Sequence, residues 1–311
     1  MKISNNDDGD PFWSLAMNDD RLSVALPQKD DDDDDNQTQQ SNLRTITTQP
    51  PAPDLSPPLV LRLAQNYEAG CFSDVAGDIW DASLLLATFL YGTNLGRKLC
   101  YEACFDGIED SSRADIDKGG ILELGSGLGL SGMAAAAAAA ATGAPDELHR
   151  EVEHKGRIVM TDLDDKSILA LLRKNVTSNL SELGSRCSIK VEPCDWTHVA
   201  KLKENATSCC PRGTFNLIIG SALVYIPDHA AACADTIAHY LSHKPNSQAV
   251  ILQLPDRAGF DSFLCRCHEL NLSVTSQVVD KEVILKVEKS IGRKLVAASD
   301  YRIYFITWKI A

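Results

Sequence analysis

The sequence predicts an α/β fold: a doubly wound, seven-stranded and mostly parallel sheet covered by helices, behind a disordered acidic N-terminal tail. Three observations lead there. Past residue 60, apolar runs of strand length alternate with longer amphipathic segments, the pattern of a parallel sheet with helices on its faces. The first of these runs, Ile121 to Leu124, passes through glycines at 125, 127 and 129 straight into a helical segment, a strand–loop–helix junction that suits a ligand. Residues 1–57 have the opposite composition, with Asp30 to Asp35, then Gln, Asn and Thr, then Pro50, Pro51, Pro53 and Pro57. Such a stretch cannot bury enough apolar surface to offset the cost of ordering it. The tail is therefore assigned to 1–57 and the domain to 58–311.

Along the domain, Ile79 to Leu90 predicts an amphipathic helix, with Leu84, Leu85, Ala87 and Leu90 on overlapping apolar faces, packed over a sheet edge. Ile121 to Leu124 is the first strand. The segment from about 131 to 141 carries the run Ala134 to Ala141; alanine is the best helix former and lets a helix lie close on a sheet. Arg157 to Thr161, Cys187 to Glu192, Phe215 to Gly220 and Ala249 to Leu254 are the next strands, with helices at about 165–179, 228–242 and 257–270 between or after them. Leu272 to Val279 and Arg302 to Trp308 close the sheet, and a β-like stretch at Glu282 to Val287 leaves the pairing at this end open.

Composition narrows the function. The 311 residues carry a formal charge of -13, which disfavours nucleic acid, since phosphate backbones reward basic surfaces. Ten cysteines in a chain with an acidic start and no secretory pattern read as reduced thiols in the cytosol or nucleus. Cys265, Cys267 and His268 lie close together, but their helical spacing does not converge on one metal, so no metal site is predicted. The alanine-rich stretch is too short to span a membrane.

The residues after each strand carry the chemistry. The loop Gly125, Ser126, Gly127 lacks the third glycine of a dinucleotide fingerprint, because position 130 is Leu. Instead, an acid, Glu123, stands two residues before glycines at every second position, through Gly129. This suits a ligand with a charged amino acid end and no pyrophosphate, as in S-adenosylmethionine. Asp162, after the second strand, can accept from both ribose hydroxyls of an adenosine. It could instead cap the following helix, a task open to Asp164 or Asp165. Asp195 and Trp196, after the third strand, can hold adenine through its amine and its face, although a tryptophan there could also be core. After the fourth strand come Ser221 and Tyr225, where the reactive end of the ligand should sit, and Tyr225 is the catalytic candidate.

Taken together, these pieces resemble the family 16 methyltransferases, a seven-strand class that includes many protein-lysine methyltransferases. The resemblance runs from about Gly77 to Trp308. It rests on Trp80 and Asp81 before a hydrophobic helix, on ILELGSGLGLSG, on TDLDDKSILALLRKNV from Thr161, on Cys194-Asp195-Trp196, and on Ser221 to Pro227. It implies S-adenosylmethionine held by Trp80, Glu123, Gly125, Asp162 and Trp196. It also implies a protein substrate methylated on lysine, with chaperones and translation factors among the candidate partners. The sequence departs from the family at two places: an acidic residue usually stands three before the tyrosine and often another just after it, where this chain has Ala222 and Ile226. A small amine or a non-lysine side chain as acceptor, and a catalytically silent cofactor-binding protein, remain the alternatives.

Overall fold

The computed structural model describes residues 43–50, 57–65, 79–105, 119–142, 155–198, 210–295 and 297–309. The aspartate run and the Phe12–Trp13 pair lie outside the described residues. The chain begins with strands β1 (Leu43–Thr48) and β2 (Leu59–Ala64), then helices α1 (Asp81–Gly92) and α2 (Asn94–Phe105). Strand β3 (Ile121–Leu124), helix α3 (Leu130–Ala140), strand β4 (Gly156–Asp162), helix α4 (Lys166–Ser178) and strand β5 (Cys187–Pro193) come next. The remainder is β6 (Leu217–Ser221), α5 (Ala230–Tyr240), β7 (Gln248–Gln253), α6 (Phe260–Glu269), β8 (Leu272–Val278), α7 (Lys281–Ile291) and β9 (Arg302–Trp308).

Seven of these strands form one sheet in the order β5-β4-β3-β6-β7-β9-β8, parallel from β5 to β7, with β9 antiparallel to both its neighbours. Each of the predicted strands is present. The strand order reverses between β3 and β6, so a crevice opens outside their carboxyl ends. Neighbouring residues on a strand point to opposite faces, and the core divides accordingly. Ile121, Ile158, Met160, Ile219 and Val250 join the cluster under α1, α2 and α3, whereas Leu122, Val159, Ile218, Ala249 and Ile251 join the cluster under α5 and α6.

Three expectations are corrected. The β-like stretch at Glu282 to Val287 is part of α7: Val283 and Val287, one turn apart, are buried, Asp280 caps the helix by accepting from the Glu282 amide, and Gly292 ends it in the left-handed conformation. The valines follow the helical period, which a short apolar run does not distinguish from a strand. Helix α1 is buried almost all round and packs on α3 and over the middle strands β6 and β7, rather than covering a sheet edge. Finally, the tail does not extend to residue 57, because β1 pairs antiparallel with β2 from Leu43↔Ala64 to Thr48↔Leu59. Alternation in LRTITT and LVLRLA places Ile46, Leu59, Leu61 and Leu63 in the core, enough apolar surface to order a segment flanked by prolines.

The hairpin is held by α4. Asn179 accepts from the Arg62 amide and donates to its carbonyl, both at 2.8 Å, and Asn175 does the same for Ala64 at 2.8 and 3.1 Å. At the far end of α3, Arg97 donates to the Ala141 carbonyl at 2.8 Å, and Arg186 donates to those of Ala140 and Thr142 at 3.3 and 2.9 Å. These guanidinium groups satisfy carbonyls that a helix terminus leaves unpaired and oppose its dipole.

Candidate functional site

The glycine loop lies between β3 and α3 at the crevice. Gly125 and Gly127 have φ of 58° and 51°, a left-handed conformation that glycine adopts without a steric cost. The end of β4 braces the loop. The Ser126 amide donates to the Thr161 carbonyl at 2.8 Å, its hydroxyl accepts from the Thr161 amide at 3.1 Å, and the Gly127 amide donates to Asp162 Oδ2 at 2.7 Å. Asp162 Oδ1 accepts from the Leu163 amide at 2.8 Å. Burial pushes the Asp162 carboxyl up, and these two amides favour its charged form. Helix α4 is capped by Asp165, which accepts from the amides of Ser167 and Ile168, so Asp162 remains directed at the loop.

Gly129, the last glycine of the loop, is also required by packing. A Cβ there would stand 2.6 Å from Leu172 Cδ1 and 2.6 Å from Met160 Cε, so the missing side chain faces the core, and this glycine lets α3 settle on β4 and α4.

Glu123 sits one layer behind the loop, under the first turn of α3, where a Cβ on Gly132 would collide with its Oε2. It is 3% exposed, and Oε2 has no hydrogen-bond partner among the described residues. Burial pushes its pKa up to about 8, against the opposing pull of the Ser126 hydroxyl and the Gly132 amide.

Trp196 packs on the loop: its ring comes within 3.4 Å of where a Gly125 Cβ would be, and Leu223 within 3.0 Å of the same point. Asp195 holds the turn that presents this ring, its Oδ1 accepting from the Thr197 amide at 2.9 Å and hydroxyl at 2.6 Å. Ser221 ends β6, and Ala222 comes next with φ of 50°. Tyr225 is partly buried, and burial first, then the negative charge of Asp162, raise the pKa of its hydroxyl. Trp80 begins α1, its carbonyl accepting from the amides of Ser83 and Leu84 at 3.0 and 3.2 Å. The Ser131 hydroxyl donates to the Ser83 carbonyl at 3.5 Å, which brings that helix start beside the first turn of α3. Next to Trp80, Asp81 pairs with Arg293 at 2.7 Å.

The structure thus brings Gly125, Gly127, Asp162, Trp196 and Tyr225 to one crevice. Trp80 stands at the start of the neighbouring helix, Asp195 and Ser221 at strand ends, Glu123 behind the loop, and Gly129 in the core. Three contributors were not anticipated. Leu223 fills the space that Gly125 and Gly220 leave. Gln253, wholly buried, clamps the backbone of Val224. Asn175 reaches the Leu128 carbonyl at 3.2 Å. A glutamine ending the apolar strand QAVILQ was the one sequence signal for Gln253, since a buried amide needs partners.

A cavity of about 410 Å³, lined by Leu99, Glu102, Asn216, Lys244 and Ser247 among others, lies at the opposite rim, by the amino ends of β6 and β7. On α6, Cys265 is exposed and Cys267 buried, so the two thiols do not face one point. Among the described residues no helix is long and apolar enough to cross a membrane.

A family model described as lysine methyltransferase matches residues 59–265, from the first residue of β2 into α6. A curated relative, "Protein N-lysine methyltransferase METTL21A" of Danio rerio, is 24% identical over 182 residues, covering 58% of this chain and 62% of that protein. The chain therefore spans less than two thirds of the relative's length. Among solved structures, the mitomycin 7-O-methyltransferase MmcR is 14% identical with a TM-score of 0.41, covering 78% of this chain and 62% of its own. A SAM-dependent methyltransferase from Aquifex aeolicus is 10% identical with a TM-score of 0.37, covering 60% of this chain and 81% of its own.

Proposed function

The chain belongs to the family described as lysine methyltransferases; we propose that it is an S-adenosylmethionine-dependent methyltransferase that methylates a lysine side chain of a protein. The observation that supports this most is the meeting of the Gly125–Gly127 loop, Asp162, Trp196 and Tyr225 outside the carboxyl ends of four adjacent strands, β3 to β6.

The residues fit the cofactor. Each oxygen of Asp162 takes one amide hydrogen bond, and a carboxylate offers about four acceptor positions, which leaves capacity for both ribose hydroxyls. Trp196 and Leu223 flank the loop with apolar surface suited to an adenine face. The unpartnered Oε2 of Glu123 is a buried acceptor awaiting a donor, and an ammonium group brought to the loop would supply the charge that ionises it. S-adenosylmethionine supplies an activated methyl group on a sulfonium. The protein contributes position: the loop and Asp162 fix the adenosine end, and the segment from Ser221 to Tyr225 walls the acceptor channel. A lysine acceptor must lose a proton first, and lowering its pKa from about 10.4 towards 7 is worth about 4–5 kcal/mol. The partly buried phenol of Tyr225 stays protonated at neutral pH, so it orients the amine rather than deprotonating it.

Ala222 favours a second reading. Without the acid that could steer an ammonium, an acceptor that arrives uncharged, such as an imidazole, or a small amine that needs no steering along a peptide, asks less of this wall. Calorimetric titration of S-adenosylmethionine, with Asp162→Ala as control, followed by transfer of labelled methyl groups to lysate protein, tests the proposal. Binding lost in the control, with label recovered on lysine, is the expected result. Label recovered on histidine or on a small molecule would support the second reading, and absence of binding would overturn both.

A further inference from the structure

We propose that Asn175 is a positioning residue for the cofactor loop, tying it to the N-terminal hairpin; this rests on the cofactor assignment above. Asn175 lies in the last turn of α4 and is 1% exposed. Its Oδ1 accepts from the Ala64 amide at 2.8 Å, while its Nδ2 donates to the Ala64 carbonyl at 3.1 Å and to the Leu128 carbonyl at 3.2 Å. Leu128 is the residue between Gly127 and Gly129, so one side-chain amide joins β2 to the middle of the loop.

The geometry explains why an asparagine pair does this. Residues 62 and 64 of β2 expose their backbone groups on the same edge, about 7 Å apart at the usual strand rise. Asn175 and Asn179 lie one helical turn apart, about 6 Å along the axis. Each side-chain amide presents one donor and one acceptor to β2, as a peptide group does, so the pair replaces a neighbouring strand and keeps a second donor. Asn179 spends its second donor on the Asn175 carbonyl within the helix, at 2.7 Å. Only Asn175 of the two turns its second donor to the loop. A glycine-rich loop loses much conformational entropy on ordering. Leu128 is held at its carbonyl by Asn175, and the next peptide nitrogen, Gly129, donates to the Ser126 carbonyl at 2.7 Å. The Leu128–Gly129 peptide plane is thereby fixed from both ends before a ligand arrives.

The test compares full-length Asn175→Ala and Asn175→Asp with Asn179→Ala. The readouts are calorimetric affinity for S-adenosylmethionine, thermal stability, and hydrogen exchange of the loop amides without ligand. N175D keeps the acceptor for the Ala64 amide but points an oxygen at the Leu128 carbonyl. Both Asn175 variants should bind about tenfold or more weakly, the worth of one or two net hydrogen bonds, with faster exchange at Gly127 and Gly129. N179A loosens the same hairpin and should match their loss of thermal stability while keeping its affinity near that of the wild type. Should N175A fail to fold, N175D decides. Unchanged affinity and exchange in the Asn175 variants, or an affinity loss in N179A that tracks stability, would overturn the proposal. A wild-type protein that takes up no cofactor would sink the cofactor assignment instead, and exchange at the loop would still decide the tether.

Discussion

Gln253 and Val224 exchange a pair of hydrogen bonds: the side-chain nitrogen donates to the Val224 carbonyl at 2.9 Å, and the side-chain oxygen accepts from the Val224 amide at 3.3 Å. Gln253 ends β7, and Val224 precedes Tyr225, so the amide sets the path of the chain that delivers the phenol. Gln253→Leu leaves both backbone groups buried without partners, at a cost of about 1–3 kcal/mol each. Single-turnover rates should fall at least about tenfold while calorimetric cofactor affinity stays within about twofold, since the loop and Asp162 are untouched.

Tyr225→Ala should lower turnover by about a hundredfold or more with little change in cofactor affinity. Tyr225→Phe separates the hydroxyl from the ring. A Phe variant as slow as Ala assigns the effect to hydrogen bonding, and one near wild type assigns it to the wall. Equal losses of turnover and affinity would remove the residue from the acceptor side.

Glu123 has a folded pKa of about 8, above the unfolded value near 4.5. Between those values the folded state holds a proton that the unfolded state has released. The stabilisation is complete below pH 4.5 and is lost as the pH rises through about 8. Glu123→Gln removes this slope, so its melting temperature should exceed that of the wild type by several degrees at pH 8 and match it at pH 5. The same variant should bind S-adenosylmethionine more weakly if Oε2 meets the ammonium. A melting curve at each pH and one titration check both statements.

Ala222 holds φ of 50°, a region that costs an alanine about 1 kcal/mol and that aspartate and asparagine enter more readily. Ala222→Asp should therefore fold at least as well as the wild type. If lysine is the acceptor, A222D should also raise methyl transfer to lysine peptides. Lower transfer with intact folding would mean that the channel has adapted to an acceptor the acid repels.

The sheet, its helices and most of the crevice were legible because they derive from period and position. A parallel strand is a run of apolar residues, and the residues just past its carboxyl end face the ligand. Asp162, Trp196 and Tyr225 are found by that rule alone. Gly129 marks a limit of that rule, because a glycine required by packing and one required by a ligand are the same letter in a sequence. The stretch at Glu282 to Val287 misled because Val283 and Val287 satisfy a helical period within a run short enough for a strand. β1 was missed because its neighbours are polar and proline-rich, and its partner β2 lies beyond them. Asn175 and Gln253 act by bonding to distant backbone; the polar end of QAVILQ hinted at Gln253, and no local pattern marks Asn175.

Helix α3 has a further property. From Ala134 to Ala139 its side chains are 0–4% exposed and identical. A helix whose residues are interchangeable does not encode its own register, and sliding it by one position would bury the same methyl groups. Its ends must set the count. Gly129 and Gly132 fit against Met160, Leu172 and Glu123 at the start, and Arg97 and Arg186 hold the carbonyls of residues 140 to 142 at the finish. Losing or gaining a single alanine would leave the composition of the core almost unchanged, yet rotate those carbonyls by about 100° away from both guanidinium groups. The tract is thus tolerant in chemistry and intolerant in length.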